Sequence, residues 1–160
     1  MAHRLDHSPT WPTTVVATPL LHEPLDVAIP VGHPLAGQPA VTAEEVGREP
    51  WIGVHEGFPL LAPLEALAAA GGRPLDVVHR ANDLTLATAL VAAGAGLALM
   101  PRHTAPDRPD VVLRPLADLA VARRVDALVR PERALRRSVG TVLGDLRRAA
   151  DALVEPVGRG

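Results

Sequence analysis

The sequence contains no cysteine and no lysine, and only two tryptophans and one phenylalanine occur among its 160 residues. The absence of cysteine excludes a disulfide scaffold, thiolate metal sites and a cysteine nucleophile. With so few aromatic rings, the chain is a poor match for RNA readers and single-strand binders, which stack bases on aromatic side chains. No apolar run approaches the roughly 18 residues that span a membrane, and no signal-peptide core follows Met1, so we expect a cytoplasmic protein.

Positive charge is carried by arginine alone, and it is unevenly distributed. The 16 arginines face 18 acidic residues, which gives a net charge of −2 with neutral histidines. Arginines are outnumbered by acidic residues up to position 113 and outnumber them from 114 to 148. A basic segment can contact phosphate groups, but it is also typical of the polar face of a terminal helix, which is the interpretation we favour.

Hydrophobic periodicity predicts strands and helices that alternate along the chain. Residues 1–24 are rich in proline and predict an irregular lead-in, with room for a short extended piece at Thr14–Ala17. From Leu25 onward the predicted strands are Leu25–Val31, Trp51–Val54, Leu75–Arg80, Leu97–Met100, Val111–Leu116 and Arg124–Arg130, and the predicted helices are Thr42–Gly47, Pro59–Ala70, Asp83–Ala93 and Pro131–Val154. Alternation with short connections favours an α/β fold built on a parallel sheet with right-handed crossovers.

The ends of the predicted strands are the places to look for a ligand. In open α/β sheets, ligands bind beyond the carboxyl ends of the strands, where free amides at the following helix starts favour an anion. The candidate ligand-binding residues at these ends are His55, Glu56, Gly57, Phe58, Asp83, Thr85 and Pro101. Two alternatives remain open: Phe58 could be part of the core, and Asp83 and Thr85 could serve only to cap and pack a helix.

Other motifs predict no catalytic, cofactor or metal site. Gly94 and Gly96 follow a predicted helix, whereas the dinucleotide fingerprint requires glycines between a strand and a helix. His3 and His7 have helical spacing with Asp6 between them, but a short terminal segment is a poor metal cage. Neither Ser8 nor Ser138 lies in a nucleophile elbow.

Several stretches resemble the effector-binding domain of LysR-type transcriptional regulators. The matching pieces are Glu23–Ala36, Val41–Val46, Pro50–Ile52, Leu90–Pro101, Val111–Leu116 and Val125–Arg130. The most specific are the His-Pro-Leu-Ala run that begins at His33 and the Val-Ala-Ala-Gly-Ala-Gly-Leu-Ala-Leu-Met-Pro run that ends at Pro101. The order and separation of the pieces also match, over about residues 15–150.

The resemblance implies one lobe of a fold similar to type 2 periplasmic binding proteins, in three layers. Family members bind DNA through a helix-turn-helix and hold a small effector between two subdomains. We find no match to the helix-turn-helix or to most of the first subdomain in this sequence, so we expect it to correspond to a truncated member. We interpret residues 1–24 as lead-in and remnant of the first subdomain, 25–122 as the second subdomain, 123–154 as a crossover strand and helix, and 155–160 as a disordered tail.

The same resemblance supplies expectations about partners. His55–Phe58 and Asp83–Thr85 correspond to the effector-contacting wall, and the effector is expected to be a small organic anion. The segments Leu60–Ala70 and Leu75–Arg80 correspond to a surface for antiparallel dimerisation. With the apolar stripe of the last helix, they give the predicted dimer interface Leu60, Leu64, Leu67, Val77, Leu143 and Leu146. DNA would be bound only through the absent domain.

Two functions other than effector sensing remain open. One is a small α/β enzyme that acts on a carboxylate or phosphate, with His55 or His103 as base. The other is a module that only dimerises. A sensor would release its ligand unchanged, whereas an enzyme would turn it over, and a pure dimerisation module would show association without any response to a ligand.

Overall fold

The computed structural model describes residues 3–5 and 12–154, and for residues 3–5 it describes the backbone alone. The predicted disordered tail at 155–160 and the weak metal-site candidate at Asp6 and His7 lie outside this part of the chain. Within it, no three metal-ligating side chains come together, and no helix is long and apolar enough to cross a membrane.

Seven strands and five helices follow one another along the described chain. The strands are β1 (His3–Leu5), β2 (Val16–Pro30), β3 (Pro50–Gly53), β4 (Asp76–Arg80), β5 (Ala98–Pro101), β6 (Val111–Arg114) and β7 (Leu119–Val129). The helices are α1 (Ala43–Val46), α2 (Leu61–Ala70), α3 (Leu84–Ala92), α4 (Pro131–Ala134) and α5 (Arg137–Val154), and a 3-10 turn covers Pro34–Gly37. The predicted alternation from Leu25 to Pro101 is therefore observed.

The sheet pairing differs in direction from the prediction. β3 pairs with β4 in parallel, and β1 pairs with β7 in parallel. However, β2 pairs antiparallel with both β5 and β6, and the larger sheet has the order β1-β7-β2-β5. The predicted parallel pairing is therefore observed for two pairs of strands and not for β2, because the alternation of strands and helices along the chain does not determine which strands become neighbours in the sheet.

Each face of the sheet around β2 and β5 is covered by helices. Leu25, Val27 and Ile29 of β2 belong to one buried cluster, which also contains residues of α1 and α2. Ala28 belongs to a second buried cluster, with residues of α3. Because successive side chains of a strand point to opposite faces, this division places the sheet between two helical layers. The α/β fold in three layers is thus observed.

The chain divides into two compact units. Unit 1 contains Pro24–Arg123 together with the N-terminal residues through Asp6, and unit 2 contains His7–Glu23 and Arg124–Gly160. In its described part, unit 2 consists of the first half of β2, the second half of β7, and helices α4 and α5. Both long strands therefore contribute residues to both units.

Two local predictions at the ends of the chain are wrong. The irregular lead-in predicted for residues 1–24 contains β1 and the first nine residues of β2. The single helix predicted from Pro131 to Val154 is interrupted, because α4 ends at Ala134 and α5 begins at Arg137. The interrupted segment contains neither glycine nor proline, so its residues gave no signal of a break.

Candidate functional site

Parallel strands β3 and β4 end at the same edge of their sheet, and the loops that follow them are joined. Gly53 pairs with Arg80 at the end of the register, and the amide of Ala81 donates to the carbonyl oxygen of Gly53 at 2.9 Å. The amide of His55 donates to Oδ1 of Asn82 at 2.9 Å. The two predicted ligand-binding loops are therefore brought together, as the sheet geometry required.

Asn82 and Arg80 are the residues that join these loops, and the sequence argument did not select either as a site residue. Besides the Asn82 bond, Nη1 of Arg80 donates to the carbonyl oxygen of Val54 at 2.8 Å. This bond leaves other guanidinium donors on an exposed side chain and places a positive charge beside the loops. Asn82 lies at one of the strand ends that the sequence argument considered, beside Asp83, although it was not included among the candidate ligand-binding residues.

Helix α3 begins at this edge, and Asp83 is its N-cap. The backbone of Asp83 is extended, and its Oδ1 accepts a hydrogen bond of 2.7 Å from the amide of Leu86. Asp83 therefore holds the helix start in place, which is the capping role that the sequence left open. Thr85 lies exposed in the first turn, where backbone amides have no acceptor within the helix and the helix dipole favours an anion.

The loop His55–Phe58 combines exposed polar groups with one partly buried ring. His55, Glu56 and Gly57 are exposed, and Gly57 has a φ of 78°, a conformation that glycine adopts without strain. The amide of Phe58 closes a turn on the carbonyl oxygen of His55 at 3.2 Å. Phe58 is half-buried and packs against the first core cluster, so its ring contributes to the core and keeps one part accessible.

Pro101 does not reach this surface. It is the last residue of β5, pairs with Leu25 of β2, and is fully buried. The prediction that it contacts a ligand is wrong for this structure because its ring is enclosed by the core. The next residue, Arg102, forms a bidentate pair with Asp26, from Nε at 2.8 Å and from Nη2 at 2.7 Å.

The residues predicted for a dimer interface fall into two groups. Leu60, Leu64 and Leu67 are buried in the first core cluster, so the prediction that they contact a second copy is wrong: α2 and its N-cap residue Leu60 already use these side chains to cover the sheet of the same chain. Val77 is half-buried against the same cluster.

In unit 2, Leu143 and Leu146 line a groove between α5 and the end of β7. Leu146 is exposed and Leu143 is half-buried, so both remain available to a partner.

Comparison with known proteins agrees with this architecture. The family profile described as the LysR substrate binding domain matches residues 5–151. The chain belongs to the LysR substrate-binding domain family. A probable nitrogen assimilation transcriptional activator of Synechococcus elongatus is 32% identical over 133 residues, which are 80% of this chain and 43% of that protein. The chain thus spans less than half the length of this relative.

Solved structures of LysR effector-binding domains share the fold. The effector-binding domain of BenM, solved with its effector benzoate, superposes with a TM-score of 0.73 at 20% identity, covering 94% of this chain and 70% of that one. The effector-binding domain of QuiR in complex with shikimate superposes with a TM-score of 0.73 at 15% identity, covering 87% and 66%. At these identities the likeness concerns the fold.

Proposed function

We propose that this chain is the effector-sensing part of a LysR-type transcriptional regulator and that it acts by binding, without catalysis. Small organic anions would bind at the edge formed by the loops after β3 and β4. The observation that carries the proposal is the bond between the His55 amide and Asn82, which joins the loop containing Phe58 to the start of α3. This bond holds the loop that contains Phe58 next to the segment that carries Arg80 and leads into the first turn of α3.

The chemistry of this edge suits a carboxylate. The first turn of α3 offers backbone amides, Arg80 adds a positive charge, and the accessible part of Phe58 can pack against an apolar body. Glu56 is exposed in the same loop, so it would favour a ligand that also carries a donor such as a hydroxyl group. Benzoate and shikimate, found with BenM and QuiR, are both carboxylates.

The chain covers only part of its relatives, so other parts of a regulator would complete the effector cleft and bind DNA. This chain covers 43% of the Synechococcus elongatus relative and about two thirds of the two effector-binding domains. We therefore propose that the second wall of the effector cleft and the DNA-binding domain come from residues outside this chain. Binding by the chain alone would then be weaker than binding by a complete effector domain.

Thermal unfolding against a panel of aromatic and aliphatic carboxylates tests the site. A ligand at a hundred times its dissociation constant stabilises the folded state by about 2.7 kcal/mol, which is a readily measured shift in Tm. We expect Phe58→Ala and Thr85→Ala to reduce the shift at fixed ligand concentration. Thr141→Ala, an exposed threonine of α5, is the matched control and should retain the shift.

Two outcomes would contradict the proposal. If no carboxylate raises Tm, or if Phe58→Ala and Thr85→Ala leave the shift unchanged, the edge is not the effector site. Recovery of a chemically altered ligand would favour the enzyme alternative, in which His55 or His103 acts as a base. Mass spectrometry of the carboxylate after incubation with the protein distinguishes binding, which leaves the ligand unchanged, from catalysis, which alters it.

A further inference from the structure

A cavity of about 250 Å³ lies in unit 1 on the face of the sheet that α3 covers. Its floor includes Ala28 of β2, Met100 of β5 and Thr88 of α3, and its rim is the segment that follows β5. Thr88 is buried, and its hydroxyl donates to the carbonyl oxygen of Leu84 at 2.7 Å. Because that donor is already used, the Thr88 hydroxyl offers no free donor, and the side chains of Ala28 and Met100 beside it are apolar. The lining shares no residue with the loops proposed to bind the effector.

The rim carries charged groups of both signs. Arg102 and Arg108 both line the cavity, and each holds an aspartate through Nε and Nη2: Arg102 binds Asp26, and Arg108 binds Asp110. A guanidinium has five N–H donors, and a bidentate pair uses two of them. The remaining donors include both N–H groups of each Nη1, and the two side chains are 42% and 41% exposed.

Asp107 lies between these arginines in sequence and also lines the cavity. A carboxylate oxygen accepts hydrogen bonds only, so it complements a ligand ammonium, whereas the free guanidinium donors complement a ligand carboxylate. A group that carries both is the head of an α-amino acid. The apolar floor would then receive the side chain.

We propose that this cavity is a second small-molecule site, which binds a zwitterionic α-amino acid with an aliphatic side chain. Arg102 and Arg108 contact the ligand carboxylate, Asp107 contacts its ammonium, and the side chain lies against Ala28 and Met100. The volume supports a compact ligand, since it is below the roughly 300–1,000 Å³ of sites for drug-sized molecules. This site does not depend on the proposed effector site.

Met100 provides a direct probe, because the chain contains two methionines and the other is Met1. In the full chain labelled with ¹³C-methyl methionine, Met100→Leu assigns the signal. We expect L-leucine to shift the Met100 methyl signal saturably. Removing either charged group of the ligand should weaken binding at least about tenfold, since each loses a charge-assisted hydrogen bond. The probes are 4-methylpentanoate, which lacks the ammonium, and 3-methylbutylamine, which lacks the carboxylate.

Substitutions at the cavity complete the test. Ala105→Phe, at a lining position, should abolish the shift by filling the space. Asp107→Asn and Arg108→Gln should each weaken leucine binding about tenfold. Glu65→Gln and Arg73→Gln, at exposed positions of the same unit, are the matched controls. Circular dichroism establishes that each variant is folded.

Three results would overturn the proposal. The first is no shift of the Met100 signal with L-leucine up to its solubility limit. The second is equal binding of 4-methylpentanoate or 3-methylbutylamine, which would show that the rim does not recognise both charges. The third is a shift that Ala105→Phe leaves intact and Phe58→Ala removes, which would place leucine at the effector site.

Discussion

The two units of this chain treat their apolar surface differently. In unit 1, α1 and α2 cover one face of the sheet and α3 covers the other, so that Leu64, Leu67 and Val91 are buried. In unit 2, α5 buries only Ala150, and every residue of that helix is described. Leu135 beside it is 98% exposed. Unit 1 closes its own core, whereas unit 2 leaves apolar side chains of α5 exposed.

The groove of unit 2 shows what a partner would cover. It has a volume of about 310 Å³ and is lined by the last residues of β7 and by Val139, Val142, Leu143 and Leu146 of α5. Burial of one such side chain is worth about 1.5–3 kcal/mol, so a stripe of them is a strong reason for association. For this chain alone in solution, we propose that a second copy covers the groove.

The largest expected effect on stability comes from substituting a buried residue of unit 1, compared with an exposed residue of unit 2. Trp51 of β3 is fully buried, and its Nε1 donates to the carbonyl oxygen of Val46 at 2.9 Å. Trp51→Ala should lower the free energy of unfolding by about 3–5 kcal/mol, since it leaves a cavity and removes one of the two hydrogen bonds that the Val46 carbonyl oxygen accepts. The exposed Leu135→Ala should change it by less than about 0.5 kcal/mol. Urea unfolding followed by circular dichroism measures both, and similar losses would show that unit 1 is not the closed core.

The next effect concerns association through unit 2. Leu143→Glu with Leu146→Glu places two charges in the groove, and we expect it to dissociate a dimer because burying an unpaired carboxylate is costly. Light scattering across a concentration series measures the change. Thr141→Glu, on the same helix at an exposed position outside the groove lining, is the matched control and should still associate. If the wild-type chain stays monomeric at high micromolar concentration, the proposal that a second copy covers the groove is wrong.

Features that depend on neighbouring residues could be predicted from the sequence, whereas contacts between distant residues could not. The capping box was predicted from Thr42 and Glu45, and the structure shows both of its bonds, because such a motif depends on four consecutive residues. The proximity of the loops after β3 and β4 was anticipated from the strand ends. The bond between His55 and Asn82 spans 27 positions, and no pattern within either loop records it.

Burial was harder to predict than secondary structure. Leu60, Leu64 and Leu67 have the spacing of an apolar helix face, and so does the stripe of α5, yet the first group is enclosed and the second is open. Periodicity shows that a helix has an apolar face, but only the fold decides whether the same chain covers it. The antiparallel direction of β2 could not be predicted either, because only the fold decides which strands lie beside it.

A moderate loss of stability is expected when an ion pair of unit 1 is broken, and a smaller loss when an ion pair of unit 2 is broken. Asp26 of unit 1 is 5% exposed in its side chain and relies on Arg102, whereas Asp145 and Arg148 of α5 form a pair in which both side chains are more than half exposed. Arg102→Gln should lower the free energy of unfolding by about 1–3 kcal/mol. This is less than for a fully buried ion pair, because the Arg102 side chain is partly exposed to solvent. Arg148→Gln should cost less than about 0.5 kcal/mol. Chemical unfolding in low and high salt checks both, and a larger loss for Arg148→Gln would reverse the comparison.

The smallest effect is a dependence of unit 1 on acid. Hydrogen bonds from the Thr42 backbone and side chain lower the pKa of Glu45 below its ordinary value of 4.5, and Arg108 lowers the pKa of Asp110 in the same way. Since both pKa values are lower in the folded state, the unfolded chain binds more protons between the folded and ordinary values. The stabilisation is therefore complete above the ordinary pKa and is lost as pH falls through the folded pKa.

Glu45→Gln tests this acid dependence, because glutamine keeps a capping oxygen for the Thr42 amide and removes the titration. We expect the variant to be somewhat less stable than the wild type at neutral pH and to approach it as pH falls through the lowered pKa of Glu45, where the wild-type carboxylate takes up its proton. Tm measured from pH 7 to pH 3 shows this convergence. Glu65→Gln, at an exposed position of α2, is the control and should run parallel to the wild type. A constant difference between Glu45→Gln and wild type at every pH would mean that the capping box stabilises α1 through shape alone, and that its charge contributes nothing.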